Sequence, residues 1–160
     1  MAKFADRYLE VNPWAIIEKG FDPTKNRVSE SIFSLGNEYM GIRGIFDEGY
    51  SGETLVGSYF NGVYEEAEIK HPNKYKGIAT RTRFMVNTVN WLSTCIVLDG
   101  EVLDLAKSKI SDFVRTLDLK SGVVSREFIW HTNSGKILKL LFERFLSMQD
   151  ANLGCQKISI

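Results

Sequence analysis

Cysteine and histidine are scarce in this chain, with two of each in 160 residues. Cys95 and Cys155 stand apart, each beside an apolar residue, which predicts buried free thiols rather than a disulfide framework. His71 and His131 have no second histidine, cysteine or carboxylate at ligand spacing, so no metal site is expected. His131 follows Trp130 at a strand end and is expected at the surface or in a loop. No G-x-S-x-G elbow occurs, and neither cysteine has a nearby histidine to make it a nucleophile. Charge of either sign is not in excess: twenty basic and twenty acidic residues cancel. That removes the electrostatic footprint of a nucleic-acid or anionic-membrane partner. No apolar run reaches the roughly 20 residues of a membrane-spanning helix. The charged start MAKFADRYLEVNPW also lacks the apolar core of a signal peptide. A cytoplasmic protein is the expectation.

Aromatic residues and glycines are what the chain does have. Ten Phe, six Tyr and three Trp make up 12% of it, many beside β-branched residues, which favours sheet. The second half reads as hairpins. Within 95–105, Asp99-Gly100 lies between two apolar runs, as a type I′ turn requires. Ser121-Gly122 separates Val114, Leu117 and Leu119 from Val124, Phe128 and Trp130, and Asn133-Ser134-Gly135 marks a third turn. This rhythm predicts an all-β, mainly antiparallel β-sandwich. The segment 136–148 is ambiguous. Lys136, Lys139, Glu143 and Ser147 fall on one helical face, opposite Ile137, Leu138, Leu141, Phe142 and Phe145. The glycine turn before it and the hairpin rhythm around it decide for a strand.

In the first half, 13–21 and 28–37 read as two strands joined by a loop containing Pro23. Seven glycines then follow between 34 and 62. Such a density suits short strands joined by ordered loops, where a ligand or another backbone comes close. The stretch SLGNEYMGIRG (34–44) contains neither Gly-Lys-Ser/Thr nor G-x-G-x-x-G, and no βαβ pattern surrounds it. Turns and close strand packing therefore explain it better than a phosphate loop. Asp47-Glu48 and Glu65-Glu66 flank the glycine-aromatic segment, and glycoside chemistry uses paired carboxyl groups. Adjacent acids nevertheless read more simply as solvated loops. Tyr50, Tyr59, Phe60 and Tyr64, with Asn61 among them, offer either a sugar-stacking surface or core packing.

Glu30-Ser31-Ile32-Phe33-Ser34-Leu35-Gly36-Asn37, followed by Tyr39, Gly41, Arg43 and Gly44, resembles the opening motif of glycoside hydrolase family 65. That family contains the inverting disaccharide phosphorylases. GSYFNGVYEE (57–66) is similar to the family's next segment, and 98–105, 115–130 and 143–150 look like its later strands. Trp14 with Phe21 fits as well. The resemblance spans nearly the whole chain, with its motifs in order.

The resemblance implies that 1–160 is an N-terminal β-sandwich or supersandwich of the galactose-mutarotase-like type, incomplete at its C-terminal side. In the family a helical linker and a catalytic (α/α)6 barrel follow. The general acid and the phosphate loop belong to that barrel, so no catalytic residue is implied in this chain. The implied parent reaction is attack of phosphate on an α-glucosidic bond with inversion, giving β-glucose 1-phosphate. Inorganic phosphate is then a co-substrate, and no cofactor or metal is implied. The implied partners are the barrel, a second copy in a homodimer, and an oligosaccharide. Loops 44–64 would approach the sugar, with Arg43, Tyr59, Asn61 and Tyr64 as the candidate substrate-binding residues. Glu38 departs from the family pattern, where Gly is commoner, which argues against a required positive φ there. Two alternatives are a free-standing carbohydrate-binding module and an interaction fragment that pairs through an open sheet edge.

Overall fold

A computed structural model describes residues 8–72 and 76–160. The chain opens with strands β1 (Leu9–Asn12) and β2 (Ala15–Lys19), then a 3-10 turn (Pro23–Lys25) and helix α1 (Asn26–Ile32). Three short strands follow: β3 (Leu35–Gly36), β4 (Met40–Ile42) and β5 (Ser58–Phe60). Next come a two-stranded ribbon, β6 (Tyr64–Glu68) and β7 (Arg81–Met85), and a small hairpin, β8 (Val97–Leu98) and β9 (Glu101–Val102). The long strands are last: β10 (Lys109–Asp118), β11 (Val123–His131), β12 (Ile137–Leu146) and β13 (Gly154–Ser159). One six-stranded antiparallel sheet, in the order β1-β2-β10-β11-β12-β13, forms the scaffold. The expected all-β, antiparallel architecture is present.

The inner face of this sheet carries the main core. Phe113, Phe128, Trp130, Leu140 and Phe142 pack under Phe46 from the β4–β5 connection and under Leu103 and Leu105, which follow β8–β9. The rings of Phe113, Phe128 and Phe142 stack across adjacent strands, with centroids 6.2 and 5.9 Å apart. Such cross-strand aromatic pairs fix register as well as burying area. Turn chemistry agrees with the sequence. Asp99 and Gly100 have φ of 52° and 81°, the two positive values of a type I′ turn. Gly122 and Gly135 take φ of 68° and 86° in the next two hairpins.

Residues 137–146 are strand, and the structure shows why their periodicity misleads. Leu140, Phe142, Arg144 and Leu146 point inward and are buried, while Leu141 and Phe145 sit on the outer face. A buried arginine and outward apolar residues together blur the alternation that normally marks a strand.

Three expectations need correction. Residues 26–32 form a helix, not a strand. Asp22 caps the preceding turn by accepting from Thr24 N at 3.0 Å, with Pro23 in the first helical position, where its fixed φ suits a helix start. The buried face of α1 is Asn26, Ser29 and Glu30, at helical spacing but polar, so no apolar stripe announces it. The cysteines are free, but Cys95 is exposed and Cys155 half-buried. Asp47 and Glu48 are buried rather than solvated, at 4% and 5% exposure.

Candidate functional site

The small sheet β3-β4-β5 has two unlike faces. Leu35, Met40, Ile42 and Phe60 pack inward with Ile45, Leu92 and Leu146. On the outer face Gly36, Gly41 and Tyr59 are successive cross-strand partners. One step further along, Arg43 N donates to the Gly57 carbonyl at 2.9 Å. Apart from Tyr59 and Arg43, this face presents only glycine.

The glycines are there for different reasons. At Gly36 and Gly41 an added Cβ would meet nothing nearer than a carbonyl oxygen at 3.9 or 3.7 Å, and neither residue has a positive φ. The backbone does not demand glycine there, and its effect is to leave the sheet floor bare. At Gly57 a Cβ would run into the Arg43 side chain and come within 2.8 Å of the Tyr59 ring, so glycine lets both lie flat. Gly44 is a backbone crossing. Its N–H donates to the Glu30 carbonyl at 2.7 Å, and a Cβ would sit 2.9 Å from Phe33 Cβ.

Over this floor lies an open cleft of about 310 Å³ lined by Gly36, Glu38, Tyr39, Gly41, Tyr59 and Asn61, with Met85 of the ribbon at its margin. Tyr39 is 39% exposed and meets Phe60 edge-on at 5.8 Å. Of the candidates named from the sequence, Tyr59 and Asn61 line the cleft. Tyr64 stands behind Asn61, its hydroxyl donating to Asn61 Oδ1 at 3.2 Å. Arg43 shares the face of Tyr59, but its guanidinium donates to Ser31 Oγ on α1. Glu38 and Tyr39 also line the cleft and are not among those candidates. They come to it because Gly36 pairs with Gly41, which makes 37–39 the turn at the cleft's end. Tyr50, the other aromatic candidate, is core: it meets Phe21 and Phe46 edge-on at 5.8 and 5.2 Å.

The turn is held from both sides by Asn37. Its Oδ1 accepts from Tyr39 N at 2.9 Å and Met40 N at 2.8 Å, an Asx turn. Its Nδ2 donates to the carbonyls of Ser147 and Ala151 at 2.8 and 3.1 Å, tying the cleft to the β12–β13 connection.

A buried charged support holds the segment that follows β4. Arg115, Arg126 and Arg144 project inward from three adjacent strands, all nearly inaccessible. Arg126 pairs with both oxygens of Glu48 and reaches Asp47 Oδ2 at 3.2 Å. Arg144 Nη1 donates to Asp47 Oδ1 at 3.2 Å and to the Ile45 carbonyl at 2.8 Å. Gln156 Nε2 adds a bond to Asp47 Oδ1 at 2.9 Å. Arg115 Nε donates to Glu18 Oε2 at 2.8 Å, and its Nη1 to the Gly44 carbonyl at 3.0 Å. Burial lowers the pKa of Arg115 and Arg144, with Glu18 and Asp47 opposing it. For Arg126 burial acts the same way, but Glu48 and Asp47 outweigh it and the net direction is up. The enclosed space beside these groups is only about 10 Å³, with no room for a substrate. These carboxylates bind arginines and hold a loop in place; they are not placed for acid–base catalysis.

The remaining singled-out residues lie elsewhere. Glu65 and Glu66 are exposed on β6, and Glu66 pairs with Arg83 at 2.5 Å. His131 bonds Ser111 Oγ at 2.9 Å, and the half-buried His71 bonds the Ala79 carbonyl at 2.9 Å. Among the described residues no helix is long and apolar enough to cross a membrane.

Residues 16–160 match the family model for the N-terminal domain of glycosyl hydrolase family 65. The α,α-trehalose phosphorylase of Thermoanaerobacter brockii is 37% identical over 144 residues, covering 88% of this chain and 19% of that protein. The kojibiose phosphorylase of Halothermothrix orenii is 35% identical over 151 residues, covering 94% of this chain and 18% of that protein. A solved structure of a putative kojibiose phosphorylase from human microbiome aligns with a TM-score of 0.90 at 49% identity. It covers 98% of this chain and 21% of that one, so the chain spans about a fifth of the length of these relatives. Matched along nearly all its length in both sequence and backbone, the chain belongs to glycosyl hydrolase family 65, as that family's N-terminal domain.

Proposed function

We propose that the chain is the non-catalytic N-terminal domain of a disaccharide phosphorylase acting on α-glucosidic bonds. Phosphate is the nucleophile of the parent reaction, and β-glucose 1-phosphate is the product. The carrying observation is the match to trehalose and kojibiose phosphorylases over about a fifth of their length. The site chemistry is in keeping: the inward acids Asp47, Glu48 and Glu18 are engaged by arginines. The domain's work is mechanical, to buttress a catalytic barrel and shape the rim of its sugar site in a cytoplasmic enzyme. Inorganic phosphate is a co-substrate of that enzyme, and the domain itself needs no cofactor. Arg43, Tyr59, Asn61 and Tyr64 are its residues nearest the sugar.

The ribbon β6–β7 favours a further packing partner. All ten of its residues are exposed on both faces, Tyr64, Phe84 and Met85 among them, and a two-stranded ribbon is marginal in water without cover. The barrel or a second copy in a homodimer supplies that cover.

The test compares two proteins. The full-length parent, given kojibiose, maltose, nigerose or trehalose with phosphate, is expected to release β-glucose 1-phosphate from one of them. The 160-residue chain alone is expected to release none. Turnover by the chain alone, or a parent inert on all four sugars, overturns the proposal.

A further inference from the structure

We infer that the bare outer face of β3-β4-β5 is a saccharide-binding platform, with Tyr59 as part of its floor, Tyr39 as an aromatic wall, and Glu38 and Asn61 as its hydroxyl-reading groups. The choice of a gluco-oligosaccharide as ligand rests on the function proposed above; the platform rests on its own geometry.

Three observations carry it. First, Gly36 and Gly41 are free to be larger residues: their φ values are ordinary, and the space above them is open. Strand interiors disfavour glycine, which costs entropy and packs nothing. A pair of glycines facing each other across β3 and β4 therefore gives up local stability and leaves a flat floor. Second, the Tyr59 ring extends that floor, because Gly57 lets it lie flat against the sheet. A pyranose ring has one apolar face of C–H bonds, which stacks on such a surface, while its edge presents hydroxyls. Third, the polar groups sit at the rim. Glu38 has no hydrogen bond or ion pair among the described residues, and Asn61 is tethered through Oδ1 to Tyr64, which leaves its Nδ2 to donate. A mostly apolar cleft with a few polar groups at its margin is the usual form of a small-molecule site, and about 310 Å³ lies at the low end of the roughly 300–1,000 Å³ range.

The proposal separates stability from binding at one residue. Gly41→Val puts a β-branched side chain beside Tyr59 in a strand, so it fills the floor while the fold keeps or raises its melting temperature. Tyr59→Ala removes the aromatic part of the floor. Two-dimensional amide NMR of the chain, titrated with maltose and with kojibiose, reads both. Saturable shifts centred on Tyr39, Gly41, Tyr59 and Asn61 are expected with at least one sugar. Tyr59→Ala is expected to weaken binding about tenfold, and Gly41→Val to abolish it in a folded protein. Absent saturable shifts in the unmodified chain, or undiminished binding by Gly41→Val, overturn the platform. So does finding this face inert to sugar yet protected from hydrogen exchange in the sugar-free parent, which makes it a domain contact. Phosphorolysis by the parent is scored separately: its absence with sugar binding intact defeats the proposed function and leaves the platform standing.

Discussion

Asn37 Nδ2 donates to the carbonyl of Ser147 at 2.8 Å, across 110 residues of sequence. The same amide closes the turn of the small sheet, so one side chain both shapes the cleft's end wall and fastens it to the six-stranded scaffold. Asn37→Ala should destabilise the chain by about 2–3 kcal/mol, since it strips partners from several backbone groups at once. Asn37→Asp retains the acceptor for Tyr39 and Met40 but points a carboxylate at two carbonyls. It should be no better than alanine at neutral pH. Urea unfolding of the three proteins decides this, and a stable aspartate variant would contradict the tethering role.

The glycines of 34–44 should respond in opposite directions. Gly44→Ala forces a Cβ to 2.9 Å from Phe33 Cβ and 3.0 Å from the Glu30 carbonyl, and should cost about 1–3 kcal/mol through overpacking. Gly36→Ala meets no such obstacle and should be neutral or stabilising by up to about 1 kcal/mol. Melting temperatures of the two variants, measured side by side, test the assignment of floor and crossing.

Removing one member of the charged support should be severe. Arg126→Met leaves Glu48 buried without its partner and takes one of two arginines from Asp47, and a cost of about 3–5 kcal/mol is expected. Replacing Arg126 and Glu48 together with apolar residues of similar size, which leaves Asp47 to Arg144 and Gln156, should recover much of that loss. Denaturant midpoints for the single and double variants measure it.

Acid should weaken the chain partly through Asp104. Burial pushes its carboxyl up, but bonds from Ser51 and Ala106 outweigh burial and hold the pKa below its ordinary value. A carboxyl depressed in the folded state contributes stability in full above its unfolded pKa of about 3.9. That contribution fades as pH falls through the folded value. Asp104→Asn should therefore be less stable at neutral pH and show a shallower loss below about pH 4, followed by circular dichroism across an acid titration.

The sequence shows the scaffold where chemistry is local. Asp99-Gly100, Ser121-Gly122 and Asn133-Ser134-Gly135 mark turns because only certain residues tolerate left-handed backbone, and they fix the register of what lies between. The interior is less legible, because part of it is ionic. Arg115, Arg126 and Arg144 sit at inward positions of strands, and Asn26, Ser29 and Glu30 at inward positions of a helix. Read by hydrophobic pattern, each looks solvated. Asp47 and Glu48 mislead in the same way, since their arginine partners lie 78 to 97 residues away. The cleft depends on pairing of a different kind: no local rule places Gly36, Gly41 and Tyr59 in one row until β3, β4 and β5 are in register.

The grip of the arginines on the backbone also sets a length. Arg144 donates to the carbonyls of Arg43 and Ile45, at 3.4 and 2.8 Å, and Arg115 to that of Gly44, between them, at 3.0 Å. Three consecutive carbonyls are thus counted off by guanidinium groups before the chain delivers Asp47 and Glu48 to Arg126. The segment from Gly41 to Glu48 behaves as a ruler. One residue more or fewer would offer every arginine the neighbouring carbonyl and carry both acids past their partner, so here the spacing of the residues is fixed as firmly as their identity.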